Sequence, residues 1–107
     1  MPSQQQIHAF TQAFHRVAIK RLHEKPALVE RALQTIARWQ TQRGSSASDP
    51  YMLEWQALLK GELSQLQARV CADDDHAATL RNTSPLGFLL TPAERYALRG
   101  ESMEQTA

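Results

Sequence analysis

The fold class is decided by the stretch IHAFTQAFHRV, residues 7–17. Its large apolar residues follow one another at steps of three, four and three: Ile7, Phe10, Phe14 and Val17. Such steps place side chains on one face of an α-helix, whereas a half-buried strand would need strict alternation. The pattern therefore predicts a long amphipathic helix over about residues 4–25, with Ser3 able to cap its start.

The composition extends this prediction to the whole chain of 107 residues. Residue types that favour helices (Ala, Leu, Gln, Arg, Glu, Lys and Met) supply 61 residues, against six Val and Ile residues. The length suits one small domain and excludes a large barrel or a multidomain enzyme. We therefore expect an all-α fold, a compact bundle of five or six short helices with an N-terminal helical hairpin. This single domain would cover residues 1–100, and residues 101–107 would form a flexible tail.

Pro26 marks the turn of the predicted hairpin. Proline lacks a backbone N–H and disfavours helical geometry in the residue before it, so the first helix should end at Lys25. Proline is also favoured at the first position of a helix, so a second helix should run from Pro26 to about Gln42. Gly44 would cap its end, and the polar segment 44–50 would form a loop.

Glycine and proline also divide the second half of the chain. A third helix should begin at Pro50, capped by Ser48 or Asp49. Gly61 should either end this helix, which gives two helices, or kink it. The helical pattern of apolar residues then continues to about Ala72.

The end of the chain carries two further helix starts. Asp73 can cap a short helix over about residues 74–81, because carboxylates suit the positive end of a helix. The apolar segment 86–90 then predicts a loop or turn packed on the core.

Thr91 and Glu94 have the spacing of a capping box, with Pro92 at the first helical position. This last helix should stop at Gly100.

The net charge of +1 conceals a marked asymmetry along the chain. Residues 1–43 carry seven basic and two acidic side chains, a net charge of +5, whereas residues 44–107 carry a net charge of −4. This asymmetry is consistent with a basic interaction face, and also with mutual attraction between the halves of one domain. The second interpretation is the simpler one.

Cysteine content and hydropathy bear on the location of the protein. Cys71 is the only cysteine, and its apolar helical surroundings predict a small buried side chain rather than a reactive thiol. The first residues lack the basic start and apolar run of a signal peptide, and no segment approaches the ~20 apolar residues of a membrane span. We therefore expect a cytoplasmic protein without membrane contact.

No residue pattern predicts catalysis, a metal site or a cofactor. His8, His15 and His23 share one side of the first helix at steps of seven and eight, too far apart to converge on one ion, so we expect a surface or boundary row. Residues 73–76 lack the alternate spacing and the glycine of a calcium loop, and helix capping explains them. The sequence contains no GxSxG or HExxH motif and no Gly-rich phosphate loop. We therefore expect a non-enzymatic protein.

Basic residues on the first two predicted helices support a nucleic-acid-binding alternative. A helical hairpin can present them to phosphates, although its tight turn does not match a helix-turn-helix. A solvated helix face is the simpler interpretation. The residues concerned are Arg16, Lys20, Arg31, Arg38 and Arg43.

Three segments of the chain are informative in combination. The first runs from Pro26-Ala27-Leu28-Val29 through Ala32-Leu33 to Arg38-Trp39, and the second joins Glu54-Trp55 to Leu58-Leu59. The third and most specific is Leu80-Arg81-Asn82-Thr83-Ser84-Pro85, leading to Leu90-Thr91-Pro92-Ala93-Glu94-Arg95. Over about residues 20–98 the chain thus resembles a family of small, mostly uncharacterised bacterial proteins, some of which look like antitoxins of toxin–antitoxin gene pairs. The resemblance implies a protein-binding role, with DNA binding for autoregulation as an addition, and carries over no catalytic residue.

These observations together predict a protein that binds a partner protein, most concretely an antitoxin with a toxin-like partner. The candidate contact combines an apolar connection with two charges: Leu86, Phe88, Glu94 and Arg95. The simpler interpretation of its apolar residues, as of Trp39 and Trp55, is core packing. A DNA-binding regulator that uses the basic 16–43 hairpin is one alternative, and a small enzyme or accessory subunit is another. The chain is expected to be a monomer or a weak homodimer.

Overall fold

The structure, a computed structural model, describes residues 4–43 and 49–106. Within these ranges the chain forms six α-helices and a short 3₁₀ turn: α1 (Gln4–Glu24), α2 (Ala27–Arg43), α3 (Asp49–Lys60), α4 (Leu63–Val70), α5 (Asp75–Asn82), the 3₁₀ turn (Gly87–Leu89) and α6 (Pro92–Thr106). The same ranges contain no strand. The predicted all-α bundle of five or six short helices is confirmed. The expected caps Ser3, Gly44 and Ser48 lie outside the described residues, as does most of the expected loop.

α1 is the central helix, because it packs against α4, α5 and α6. Its buried stripe consists of Phe14, Ala18, Ile19 and Leu22. Ile7, which the spacing placed on the same stripe, is 44% exposed, so the buried part of the helix begins further along. The remaining large apolar residues of the stripe, Phe10 and Val17, are partly buried against the core.

The turn between α1 and α2 lies at Pro26, as predicted. The Lys25 amide donates to the carbonyl of Arg21 at 2.9 Å, and the Val29 amide donates to the carbonyl of Pro26 at 3.0 Å. The two helices are therefore joined with little loss of backbone hydrogen bonding. α2 packs chiefly on α3 and only lightly on α1, which fits an angled hairpin.

Gly61 separates α3 from α4, so the choice between two helices and one kinked helix is resolved in favour of two. The Gly61 amide bridges the carbonyls of Ala57 and Leu58, both at 3.2 Å. Trp55 on α3 is wholly buried, and its indole N–H donates to the Leu80 carbonyl on α5 at 2.9 Å. The expected core position of Trp55 is confirmed, and Trp39 is partly buried against the same core.

The start of α5 differs from the prediction by one residue. Asp74, rather than Asp73, is the capping residue, and its Oδ1 accepts from the Ala77 amide at 2.7 Å. Ala77 is wholly buried. Three consecutive aspartates offer the same cap chemistry, so the local sequence does not decide which one is used.

α6 begins as predicted, but its predicted end is wrong. Thr91 Oγ1 accepts from the Glu94 amide at 3.2 Å, while Glu94 Oε1 accepts from the Thr91 amide at 2.9 Å, which is a complete capping box. The helix then continues through Gly100 to Thr106. Gly100 keeps a helical backbone and not the left-handed conformation of a cap, and a helix tolerates one glycine at a cost of about 1 kcal/mol. Whether residues 101–107 are flexible stays a prediction.

Candidate functional site

The predicted partner-binding residues lie in and beside the apolar segment 86–90. Leu86 is wholly buried, and its backbone amide donates a hydrogen bond to the Ser84 hydroxyl at 3.1 Å. Leu86 therefore belongs to the core and offers no surface to a partner, which corrects its place in the predicted site. Leu89 and Leu90 are nearly buried as well, whereas Phe88 keeps part of its ring exposed.

Arg21 holds one end of this segment. It donates a hydrogen bond to the Leu89 carbonyl at 2.5 Å. It also forms a bidentate ion pair with the Glu94 carboxylate, in which Nη1 lies 3.0 Å from Oε1. This contact, followed by the Thr91 amide, lowers the pKa of Glu94 to about 2. Glu94, predicted as a partner contact, is thus already engaged by groups of its own chain.

Arg95 holds the other end of the segment. Its guanidinium donates to the Gly87 carbonyl and lies 5.3 Å from the centre of the Phe14 ring. A Cβ atom at Gly87 would lie only 3.2 Å from Arg95 Nη2, so the glycine permits this close approach. The Arg95 side chain remains exposed.

Phe88 forms one wall of a cleft with a volume of about 350 Å³, which we call the α1–α2 cleft. It is lined by Arg21, Glu24, Lys25, Leu28, Arg31, Phe88 and Leu89. The guanidinium of Arg31 lies 4.5 Å from the centre of the Phe88 ring, a cation–π arrangement. The cleft therefore joins one member of each predicted site: Phe88 from the partner-binding set and Arg31 from the basic set.

The lining of the α1–α2 cleft combines apolar side chains with charged ones, most of which are cationic. Leu28 and Phe88 supply the apolar part. Lys25 and Arg31 are exposed, and neither takes part in the ion pairs formed among the described residues. Such a lining can bind a group that has both an apolar part and a negative charge.

The predicted basic set does not gather on one surface of the described residues. Arg16 acts electrostatically on Cys71 and Arg81, which places it on the side of α1 that faces the α4–α5 junction. Arg31 instead lies over Phe88. Lys20 and Arg38 are exposed, and the side chain of Arg43 lies outside the described residues.

Cys71 is half-buried, and burial raises the pKa of its thiol against the opposing effect of the two nearby arginines, Arg16 and Arg81. A raised pKa leaves little thiolate at neutral pH. The expected burial of Cys71 is thus only partial, and its lack of reactivity stays a prediction.

The expected histidine row is wrong at its middle member. His23 is exposed, but His15 is 97% buried beside Phe14 and Trp55. The spacing alone could not show this, because the buried stripe of α1 widens toward His15. Among the described residues, no group of His, Cys, Asp and Glu side chains is arranged to hold a metal ion.

A polar cluster that joins three helices was not predicted. Glu54 on α3 contacts His76 on α5 at 2.6 Å and accepts from Arg69 on α4 at 3.0 Å. Partial burial works to raise the pKa of Glu54, but the hydrogen bonds from His76 and Arg69 hold it below its ordinary value. All three side chains are partly exposed, so we interpret the cluster as a link between helices rather than a reactive site.

Arg21 is the residue of the candidate site that the sequence indicated least clearly. It lies 73 positions from Glu94 and 68 from Leu89, and no local pattern joins residues so far apart. The only available signal was the opposite charge of the two halves of the chain.

Comparison of the chain with protein-family models gives no match, and neither curated proteins nor solved structures give a significant one. Among the described residues, no helix has the length and apolar character that crossing a bilayer requires. The described residues thus define an all-α helical bundle with an arginine-lined cleft beside α1 and α2.

Proposed function

We propose that this protein binds a partner protein by holding an acidic, apolar-bearing segment of that partner in the α1–α2 cleft. The contact of Arg31 with Phe88 carries the proposal, because it places a cation and an aromatic ring together at the surface. Arginine and aromatic residues are enriched among the residues that dominate binding energies at protein interfaces.

The charges of the cleft support an acidic occupant. Arg21 is already bonded to Glu94, so Lys25 and Arg31 are the cations left for a ligand, against the single carboxylate of Glu24. A partner carboxylate can pair with Arg31 from the side away from Phe88. An apolar side chain of the same segment can then rest on Leu28 and Phe88.

An antitoxin is the most concrete form of this function. That proposal rests on the resemblance of residues 20–98, a range that includes every residue lining the α1–α2 cleft. The toxin would be the partner, and its gene would lie beside the gene of this protein. A monomer presents the cleft without help from a second copy.

The first prediction concerns copurification with the product of the adjacent gene. A tagged chain co-expressed with the untagged product should retain it, and Arg31→Glu or Phe88→Ala should weaken retention about tenfold or more, the usual effect at a dominant interface residue. Arg38→Glu is the matched control, because Arg38 is also an exposed arginine of α2 but does not line the cleft.

Circular dichroism should show that all three variants keep their helical content. Equal retention by the Arg31→Glu and Arg38→Glu variants would contradict the proposed site. A chain that retains no adjacent product, and does not alter the growth effect of that product, would contradict the proposed function itself.

A further inference from the structure

A second cleft is lined by residues of α1, α5 and α6, together with Ser84 and Gly87. Its volume is about 200 Å³, and none of its lining residues is shared with the α1–α2 cleft. The residues that matter for its chemistry are Phe10, Phe14, His15, Arg81 and Arg95.

Arg81 is a buried cation with no carboxylate in direct contact, although Cys71, Asp73 and Asp74 act electrostatically to favour its charge. The residue is 95% buried; Nη1 donates to the carbonyls of Val70 at 2.8 Å and Ala72 at 3.0 Å, and Nε to the Thr11 hydroxyl at 3.2 Å. It takes part in none of the ion pairs formed among the described residues. Buried charges are normally paired, because carbonyl dipoles replace only part of the lost hydration. An anion in the cleft would supply the direct contact that Asp73 and Asp74 do not make.

His15 adds an unused polar atom to the same cleft. Its Nδ1 lies 2.7 Å from the Thr11 carbonyl, so Nδ1 must carry the hydrogen and donate it, which leaves Nε2 as an acceptor. Nε2 is buried and has no hydrogen-bond partner. Buried polar atoms are almost always satisfied in native proteins, so an unsatisfied one beside a cleft points to a missing group.

The other walls of the cleft suit an aromatic ring. Phe10 and Phe14 lie on one side, with ring centres 6.1 Å apart, and Arg95 lies over Phe14. An apolar cavity of about 150 Å³ is large enough to hold benzene, so about 200 Å³ has room for one ring and a small polar group.

We propose that the second cleft binds a small aromatic carboxylate, with the ring against Phe10 and Phe14 and the carboxylate toward Arg81 and Arg95. Planar guanidinium groups match carboxylates in geometry as well as in charge. A hydroxyl or water held beside the carboxylate would donate to His15 Nε2. This site is independent of the partner-binding proposal, since it uses different residues and a different ligand.

The probe for this site is benzoate, and the matched neutral probe is benzyl alcohol. Titration of the ¹⁵N-labelled protein should give saturable benzoate shifts at Gly87 and at the side chain of His15, with benzyl alcohol at least about tenfold weaker. Arg95→Gln should weaken benzoate binding about tenfold. Arg99→Gln should change it less than about twofold, because Arg99 lies over Phe10 in the same way, at 5.2 Å, but does not line the cleft.

The His15 resonances provide a readout that does not depend on the arginine variants. A bound carboxylate should raise the pKa of His15, because it opposes the charge of Arg81. Absence of saturable shifts up to about 10 mM benzoate would overturn the proposal. So would equal binding of benzyl alcohol, or an equal loss of binding in the Arg99→Gln and Arg95→Gln variants.

Discussion

At the scale of single residues, His15 shows how burial changes the chemistry of a side chain. Burial lowers the pKa of His15 from 6.5 to about 4, the Thr11 carbonyl opposes that shift, and the charge of Arg81 adds to it. His15 is therefore neutral in the folded protein at neutral pH. In the unfolded chain the same side chain takes up a proton near its ordinary pKa.

This difference predicts a loss of stability in mild acid. As the pH falls from 6.5 to about 4, the unfolded chain binds the His15 proton first, so the free energy of unfolding should fall by about 3 kcal/mol over this range and by no more from this group below it. The measurement is urea unfolding between pH 7 and 4. His15→Met should remove this part of the pH dependence of the free energy of unfolding, because methionine does not titrate. Methionine also adapts to irregular gaps, so it should fit the buried position.

His23→Gln is the control for this prediction, because His23 is exposed on the same helix. In the His23→Gln variant, the free energy of unfolding should depend on pH as it does in the unmodified protein. An identical slope in the His15→Met variant would show that His15 is not the group responsible.

At the scale of elements, capping residues in the local sequence predict where helices begin, but glycine residues predict only some of the helix ends. Thr91 and Glu94 form the capping box that their spacing indicates, and Gly61 ends α3. Gly100 was expected to end α6 on the same grounds, yet the helix continues past it. A glycine allows a helix to stop but does not require it, because the outcome depends on the residues that follow.

Gly100→Ala is the corresponding prediction at this scale. An added Cβ atom at this position would meet no other atom within 4 Å, and alanine favours the helix more than glycine does. We expect the free energy of unfolding to rise by about 0.5–1 kcal/mol, measured by urea unfolding. Thr91→Ala is the comparison, and it should lower stability by about 1 kcal/mol through the lost cap. Destabilisation by Gly100→Ala would mean that α6 ends at Gly100 after all.

At the scale of the whole molecule, the limit of sequence reasoning is set by the distance between residues along the chain. The all-α fold, the Pro26 turn and the core position of Trp55 follow from patterns within one or two helical turns. The contact of Arg31 with Phe88 and that of Arg21 with Glu94 join distant positions, so only the folded chain reveals them. For the same reason, the sequence could not show that Leu86 is buried in the core while Phe88 is partly exposed.

The opposite charges of the two halves also acquire a physical meaning at this scale. The ion pair of Arg21 with Glu94 joins the halves directly, whereas Glu54 pairs with groups of its own half. Attraction between the two halves of the chain thus explains the ion pair that Arg21 forms. Lys25 and Arg31 remain exposed beside it at the α1–α2 cleft, where we propose that a partner supplies the opposite charge.

The most direct measurement is a map of the amide resonances that change when the ¹⁵N-labelled chain binds the adjacent gene product. The largest changes are expected at Leu28, Arg31 and Phe88, with little change at Leu53, which is exposed on α3 and does not line the cleft. In the Arg31→Glu variant, the changes at Leu28 and Phe88 should be much smaller at equal partner concentration. A set of changes centred on α3, with Leu28, Arg31 and Phe88 unaltered, would contradict binding at the α1–α2 cleft.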